Sequence, residues 1–151
     1  MRYFEDQTGH RWGVSLDLSA ARAMKRDLGV DVFDSDAYNA KLVSIESVDV
    51  LAFVLKGQIE AHWPSLKPDE RLTRFAEVLE PVFAMAHDTL LEATIDFFDR
   101  LGRRELAEVL RKSLAVGRLT LERAKQQIDQ MDPEKLAKLL VPDLPDPTVG
   151  K

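Results

Sequence analysis

Residues 3–17, Tyr3-Phe4-Glu5-Asp6-Gln7-Thr8-Gly9-His10-Arg11-Trp12-Gly13-Val14-Ser15-Leu16-Asp17, read as a small β-hairpin set in front of an otherwise helical chain. Tyr3 and Phe4 on the first arm, and Trp12, Val14 and Leu16 on the second, are aromatic or apolar residues that suit a half-buried sheet, and the second arm alternates strictly. Gln7-Thr8-Gly9 between the arms is a turn in which glycine can take a positive φ. A lone two-stranded hairpin is barely stable in water, so this one must rest on the helices that follow.

Outward from the hairpin, Leu18–Leu28 reads as a short helix that Asp17 or Ser19 can cap and Gly29 can end. Val30-Asp31-Val32-Phe33 alternates and could add a third strand beside the hairpin, for a sheet of two or three strands. Asp31, Asp34 and Asp36 lack the glycine and terminal glutamate of a calcium loop, so they read as a capping and turn cluster. Residues 37–44 are ambiguous between helix and loop. Ser47 is placed to cap a helix to about Trp63, with Val48, Leu51, Leu55 and Ile59 on one face. Pro64 stops it. Pro68 opens the next helix, with Asp69 and Glu70 in its first turn, and Pro81 closes it near Leu79.

A helix from Pro81 to about Asp99 carries Phe83, Ala86, Leu90, Ala93 and Phe97 on one seam, widened by Leu91, Ile95 and Phe98. Leu101-Gly102 then leads into the longest helix, about 103–130, with Leu106, Leu110, Leu114, Gly117, Leu121, Ala124, Ile128 and Met131 on one stripe. The short link makes the two helices antiparallel neighbours. Residues 76–101 carry six acids and one base, and residues 102–125 seven bases and three acids, so the pair attracts across its rims. A last short helix, Lys135–Leu140, follows Asp132-Pro133-Glu134. The expected fold is mainly α: a single-domain helical bundle over residues 1–141 with its N-terminal hairpin at 2–17, and a flexible tail at 142–151. The expected core contains Trp12, Leu16, Leu51, Leu55, Ile59, Phe83, Leu90, Phe97, Leu106, Leu110 and Leu121.

The chain has 151 residues, no cysteine and a net charge of −5. Disulfides and thiolate metal sites are excluded, and a reducing cytoplasm suits the composition. No stretch approaches the ~20 apolar residues of a membrane span. His10 reads as a solvated turn residue, His62 as a helix-end residue beside Trp63, and His87 as structural. No histidine–carboxylate spacing matches a metal motif, no serine sits in a nucleophile elbow, and no glycine-rich phosphate loop occurs. Glu46 and Asp49 read as solvated carboxylates. The expectation is therefore no catalytic residue, no metal and no cofactor.

Two binding readings stand beside each other. A small DNA-binding or regulatory protein could use the basic helix 19–29 or the basic helix 103–125, but Asp31, Asp34 and Asp36 would repel phosphate where a recognition helix should follow. The other reading comes from a resemblance. Phe4-x-Asp6-x-x-Gly9-x-x-Trp12, Leu28-Gly29-Val30-Asp31-Val32, Val50-Leu51-Ala52-Phe53-Val54-Leu55, Arg74-Phe75-Ala76-Glu77-Val78-Leu79 and Ile95-Asp96-Phe97-Phe98, in this order, resemble the tail assembly chaperone-like proteins of phages and prophages. The resemblance covers most of residues 4–98. It implies a non-enzymatic protein of the host cytoplasm that coats the helical tape-measure protein until the tail tube forms. The tail-tube protein and a second copy of the chain are further partners it admits. A helical client is held through i, i+3, i+4, i+7 anchors. The flanks that the main seams leave over are Phe53 and Val54, and Leu91, Ile95 and Phe98, which makes these five the expected partner-binding residues.

Overall fold

A computed structural model describes residues 1–130 and 133–134. Two strands, β1 (Arg2–Glu5) and β2 (Arg11–Val14), are followed by α1 (Leu18–Leu28), α2 (Ser35–Leu42), α3 (Ser47–Val54), α4 (Lys56–His62) and α5 (Pro68–Leu79). A 3-10 turn at Glu80–Val82 leads into α6 (Phe83–Arg100), and α7 spans Arg104–Gln130. The fold is mainly α with a minor β-hairpin. The expected helix at 135–140 and the tail at 142–151 lie outside the described residues. The chain divides into two units, residues 1–114 and residues 115–151, with the boundary inside α7.

In the first unit the hairpin forms as its sequence dictates. Phe4 pairs with Trp12 and Arg2 with Val14 in an antiparallel register, and Gly9 turns the chain at a φ of 84°. Phe4, Trp12 and Val14 are buried. The outer edge of β2 does not stay open. Gly13 donates its N–H to Gln58 Oε1 at 3.0 Å and accepts from Gln58 Nε2 at 2.6 Å, so a side-chain amide on α4 takes the place of a third strand. Arg2 reaches α6, donating to Asp96 at 2.8 Å.

The helix boundaries follow local chemistry. Asp17 accepts from the Ala20 N–H at 2.7 Å and caps α1, and Gly29 ends it at a φ of 68°. Val30–Phe33 is not a strand. Asp31 captures the Phe33 N–H at 3.0 Å and its carbonyl accepts from Asp34, so the backbone turns there while Val30 and Val32 drop into the core. Asp34 then caps α2 through the Ala37 N–H, as a capping cluster should. The expected single helix 47–63 appears as α3 and α4, separated at Leu55, just before Gly57, the weakest helix former in the stretch. Ser47 starts α3 without capping it, and its buried hydroxyl has no partner.

Around α6 the core closes. Ala86, Leu90, Leu91, Ala93, Ile95, Phe97 and Phe98 are all buried, and so is Thr94. Burial of each large apolar side chain contributes about 1.5–3 kcal/mol. Gly102, at a φ of 73°, ends α6 with the Arg103 N–H bonded to the Phe98 carbonyl at 2.8 Å. The start of α7 then adds Ala107 and Leu110 to the core, with Leu106, Leu114 and Phe83 half-buried against it. Arg111 pairs with Asp99, one of the expected cross-helix charge pairs. In the second unit, α7 continues to Gln130 with Val116, Leu119, Leu121 and Ile128 exposed. Leu121, expected in the core, is 60% exposed, because its stripe runs on past the last residue the core uses.

Tyr38 shows how α2 is tied to α6. Its hydroxyl lies 3.0 Å from Thr94 Oγ1, and Thr94 Oγ1 donates to the Leu90 carbonyl at 2.8 Å, so the Tyr38 hydroxyl is the donor in the pair. Burial pushes the Tyr38 phenol up to about 12. Stability from this group is present below the unfolded tyrosine value, near pH 10, and is lost as pH rises through the folded one. Thr94→Val leaves a buried phenol without an acceptor and lowers unfolding stability by about 1–3 kcal/mol. Adding Tyr38→Phe to Thr94→Val recovers part of that loss in a urea titration.

Candidate functional site

Three candidate regions emerge from the residues upward: the aromatic anchor of the hairpin, the basic helices, and an apolar groove. At the anchor, Asp6 is a buried carboxylate in the hairpin turn. It accepts from the Thr8 N–H at 2.8 Å, the Thr8 hydroxyl at 2.6 Å, the His10 N–H at 3.2 Å and the Trp12 indole N–H at 2.9 Å. Burial pushes the Asp6 carboxyl up, but these bonds together outweigh it and hold the group below the ordinary carboxylate range. Oδ1 takes the three bonds that fix the turn and Oδ2 takes the one from the indole on β2. The arrangement is structural.

The histidines differ from expectation in one respect. His10 is not a solvated turn residue: its ring stacks on His62 at 3.9 Å and meets Trp12 edge-on at 4.5 Å. His62 in turn packs on Trp63, and Trp12 also meets Trp63 and Phe75. His10 and His62 thus come together by their ring faces, as packing groups that join the hairpin to the end of α4. His87 lies on α6 with Nδ1 3.8 Å from Asp88 and a buried Nε2 without a partner. Among the described residues no three histidine or carboxylate side chains are placed to share a metal ion.

The basic helices spend charge locally. On α1, Arg26 pairs with Asp27 and Lys25 with Asp31. At the start of α7, Arg103 pairs with Glu105, and Arg111 with both Glu108 and Asp99. Phosphate binding would have to displace these carboxylates, which disfavours the nucleic-acid reading. No helix among the described residues is long and apolar enough to cross a membrane.

Of the five expected partner-binding residues, the structure buries three. Leu91, Ile95 and Phe98 are core residues, and Phe53 and Val54 are half-buried against the same core. A client helix seated on α6 through those three would have to displace the chain's own packing. Apolar surface is exposed elsewhere. After α2 the chain makes a tight link: the Val43 N–H bonds to Asn39, the Ser44 N–H to Lys41, and the Val48 N–H to Ile45. The Ser44 hydroxyl donates to the Lys41 carbonyl at 2.8 Å and accepts from the Glu46 N–H at 3.2 Å. This bonding holds Val43 and Ile45 outward, at 81% and 84% exposure.

Single exposed aliphatics are ordinary, but a contiguous set with a concave wall marks an interaction site. Val43 and Ile45 stand at the rim of a groove of about 570 Å³ lined also by Ser44, Val48, Ala76, Leu79, Glu80 and Phe83. With Ser44 committed to the backbone, Glu80 is its one charged lining residue. The groove joins the 43–48 link to the end of α5 and the start of α6. Sequence reasoning passed over it because residues 37–44 show neither helical nor strand periodicity. The signal present was Val43-Ser44-Ile45, two large aliphatics in a link where polar residues are usual. Comparison of the chain with protein-family models, with curated proteins and with solved structures returned no match.

Proposed function

We propose that this chain is a non-enzymatic helix-binding protein of the phage tail-assembly chaperone kind, which holds the tape-measure protein in solution until tail subunits enclose it. The observation that carries the reading is the groove at Val43, Ile45, Val48, Leu79 and Phe83. It is open, apolar and bordered by a hydrogen-bonded link, which suits the apolar face of an amphipathic helix. The acids on the first unit favour solubility of the complex, since residues 1–114 hold twenty acids against fifteen bases. The sequence resemblance supplies the identity of the client. The expected partner-binding surface accordingly moves from Leu91, Ile95 and Phe98 to the groove.

The test is co-expression of a tail-module tape-measure protein encoded beside this chain, with its soluble fraction measured. Wild-type chain raises the soluble fraction and co-purifies with it. Val43→Ser with Ile45→Ser, at two exposed positions, keeps the circular dichroism spectrum and loses the co-purification. Undiminished capture by the double variant, or no capture by the wild type, overturns the reading.

A further inference from the structure

We infer that the groove selects its client by charge. It takes helices whose apolar stripe is bordered by lysine or arginine, and Glu80 is the residue that reads this border. The inference rests on the reading of the groove as a helix-binding site and adds the class of helix it accepts. The segments that build the groove, residues 42–49 and 76–88, hold five acids (Glu46, Asp49, Glu77, Glu80 and Asp88) and neither lysine nor arginine. Cations reach two of these acids from outside the segments: Lys41 pairs with Glu46 at 2.6 Å, and Arg74 with Glu77 at 3.9 Å. Asp88 lies beside His87. Glu80 lines the groove, is exposed, and has no ion pair among the described residues.

Position makes Glu80 the discriminating group. It stands in the chain between Leu79 and Phe83, two apolar lining residues of the groove. A helix seated on them brings its own flanking side chains to the carboxylate. A base there gains an ion pair against an apolar wall, whereas an acid meets a like charge that no cation of this chain offsets. An exposed ion pair alone is worth a factor of up to about five in affinity. Repulsion of the acidic alternative widens the gap between the two classes of helix. The surplus of acids on residues 1–114 draws basic helices toward the whole surface but chooses no site on it. Glu80 supplies the choice.

The experiment is a fluorescence anisotropy titration of the full chain with two labelled synthetic peptides of about 15–18 residues. Both carry the same leucine stripe at i, i+3, i+4, i+7, bordered by lysines in one and by glutamates in the other. Wild type is expected to bind the lysine peptide about tenfold more tightly, an advantage that shrinks in ~0.5 M salt. Glu80→Gln cuts the advantage by a factor of about two to five, and Glu80→Lys cuts it further, both with the circular dichroism unchanged. Glu80→Gln carries the test if Glu80→Lys loses helical signal. Glu70→Lys makes the same change of net charge in the first turn of α5, about 15 Å from Glu80 along the helix. It leaves the advantage within about twofold, because salt screens a charge at that distance. Equal binding of the two peptides by the wild type overturns the inference and leaves the helix-binding reading standing. An advantage that the Glu80 variants leave intact, or that Glu70→Lys cuts as deeply, also overturns it. If neither peptide binds, the helix-binding reading itself falls, so the two failures are told apart.

Discussion

Asp6→Ala is expected to lower the free energy of unfolding at pH 7 by about 3 kcal/mol, in the range found when a charged hydrogen-bond acceptor is removed and buried donors are left without a partner. The carboxylate accepts four hydrogen bonds within one turn, and the indole N–H of the fully buried Trp12 is among the donors. Alanine orphans that N–H and frees the turn on which the register of β1 and β2 rests. Asp6→Asn keeps one acceptor oxygen and is expected to fall between alanine and wild type. The pH dependence has a definite sign. The folded carboxyl is held below its ordinary value, so its contribution is complete above the unfolded value, near pH 4, and is lost as pH falls through the folded one. Urea titrations at descending pH check this: the gap between wild type and Asp6→Asn should narrow below about pH 4.

Phe98→Ala is expected to cost about 3–5 kcal/mol, the range for an aromatic removed from a packed core. Phe98 is 1% exposed and packs on Phe33 and Phe97, at 5.8 Å and 5.5 Å between ring centroids. Phe53→Ala, at a half-buried site, is expected to cost clearly less. Urea unfolding of both variants separates core from surface directly. Similar small losses for both would mean that Phe98 is available to a partner after all.

The contrast between those residues shows where sequence reading succeeds. The hairpin, the cap at Asp17, the glycine at 29 and the Pro68 start of α5 are set by chemistry within a few residues, and they are legible. The burial of Leu91, Ile95 and Phe98 was not. Periodicity marks one apolar seam on α6, but it does not count the neighbours. Leu90, Leu91, Ala93, Ile95, Phe97 and Phe98 cover more than half of the helix circumference, wider than the single stripe of a surface helix, which is the pattern of a helix buried by more than one neighbour. Here the hairpin lies against α6 through Arg2 and Asp96, and Tyr38 of α2 bonds to Thr94. Those long-range neighbours cannot be read from the helix itself. Leu121 fails in the opposite direction, since a stripe can outlast the core that it serves. The groove depends on Val43 and Ile45 meeting Leu79 and Phe83 across more than thirty residues, and no local pattern announces that.

We propose that a client helix docks in the groove at 43–48 and 76–83, not on the second flank of α6. Methyl NMR of the chain, titrated with amphipathic helical segments of the tape-measure protein, tests it most directly. Shift changes are expected to concentrate at the methyl groups of Val43, Ile45, Val48 and Leu79 and to be abolished by Ile45→Asp. Changes centred on Leu91 and Ile95 with the groove methyls unmoved, or no saturable change with any segment, would contradict it.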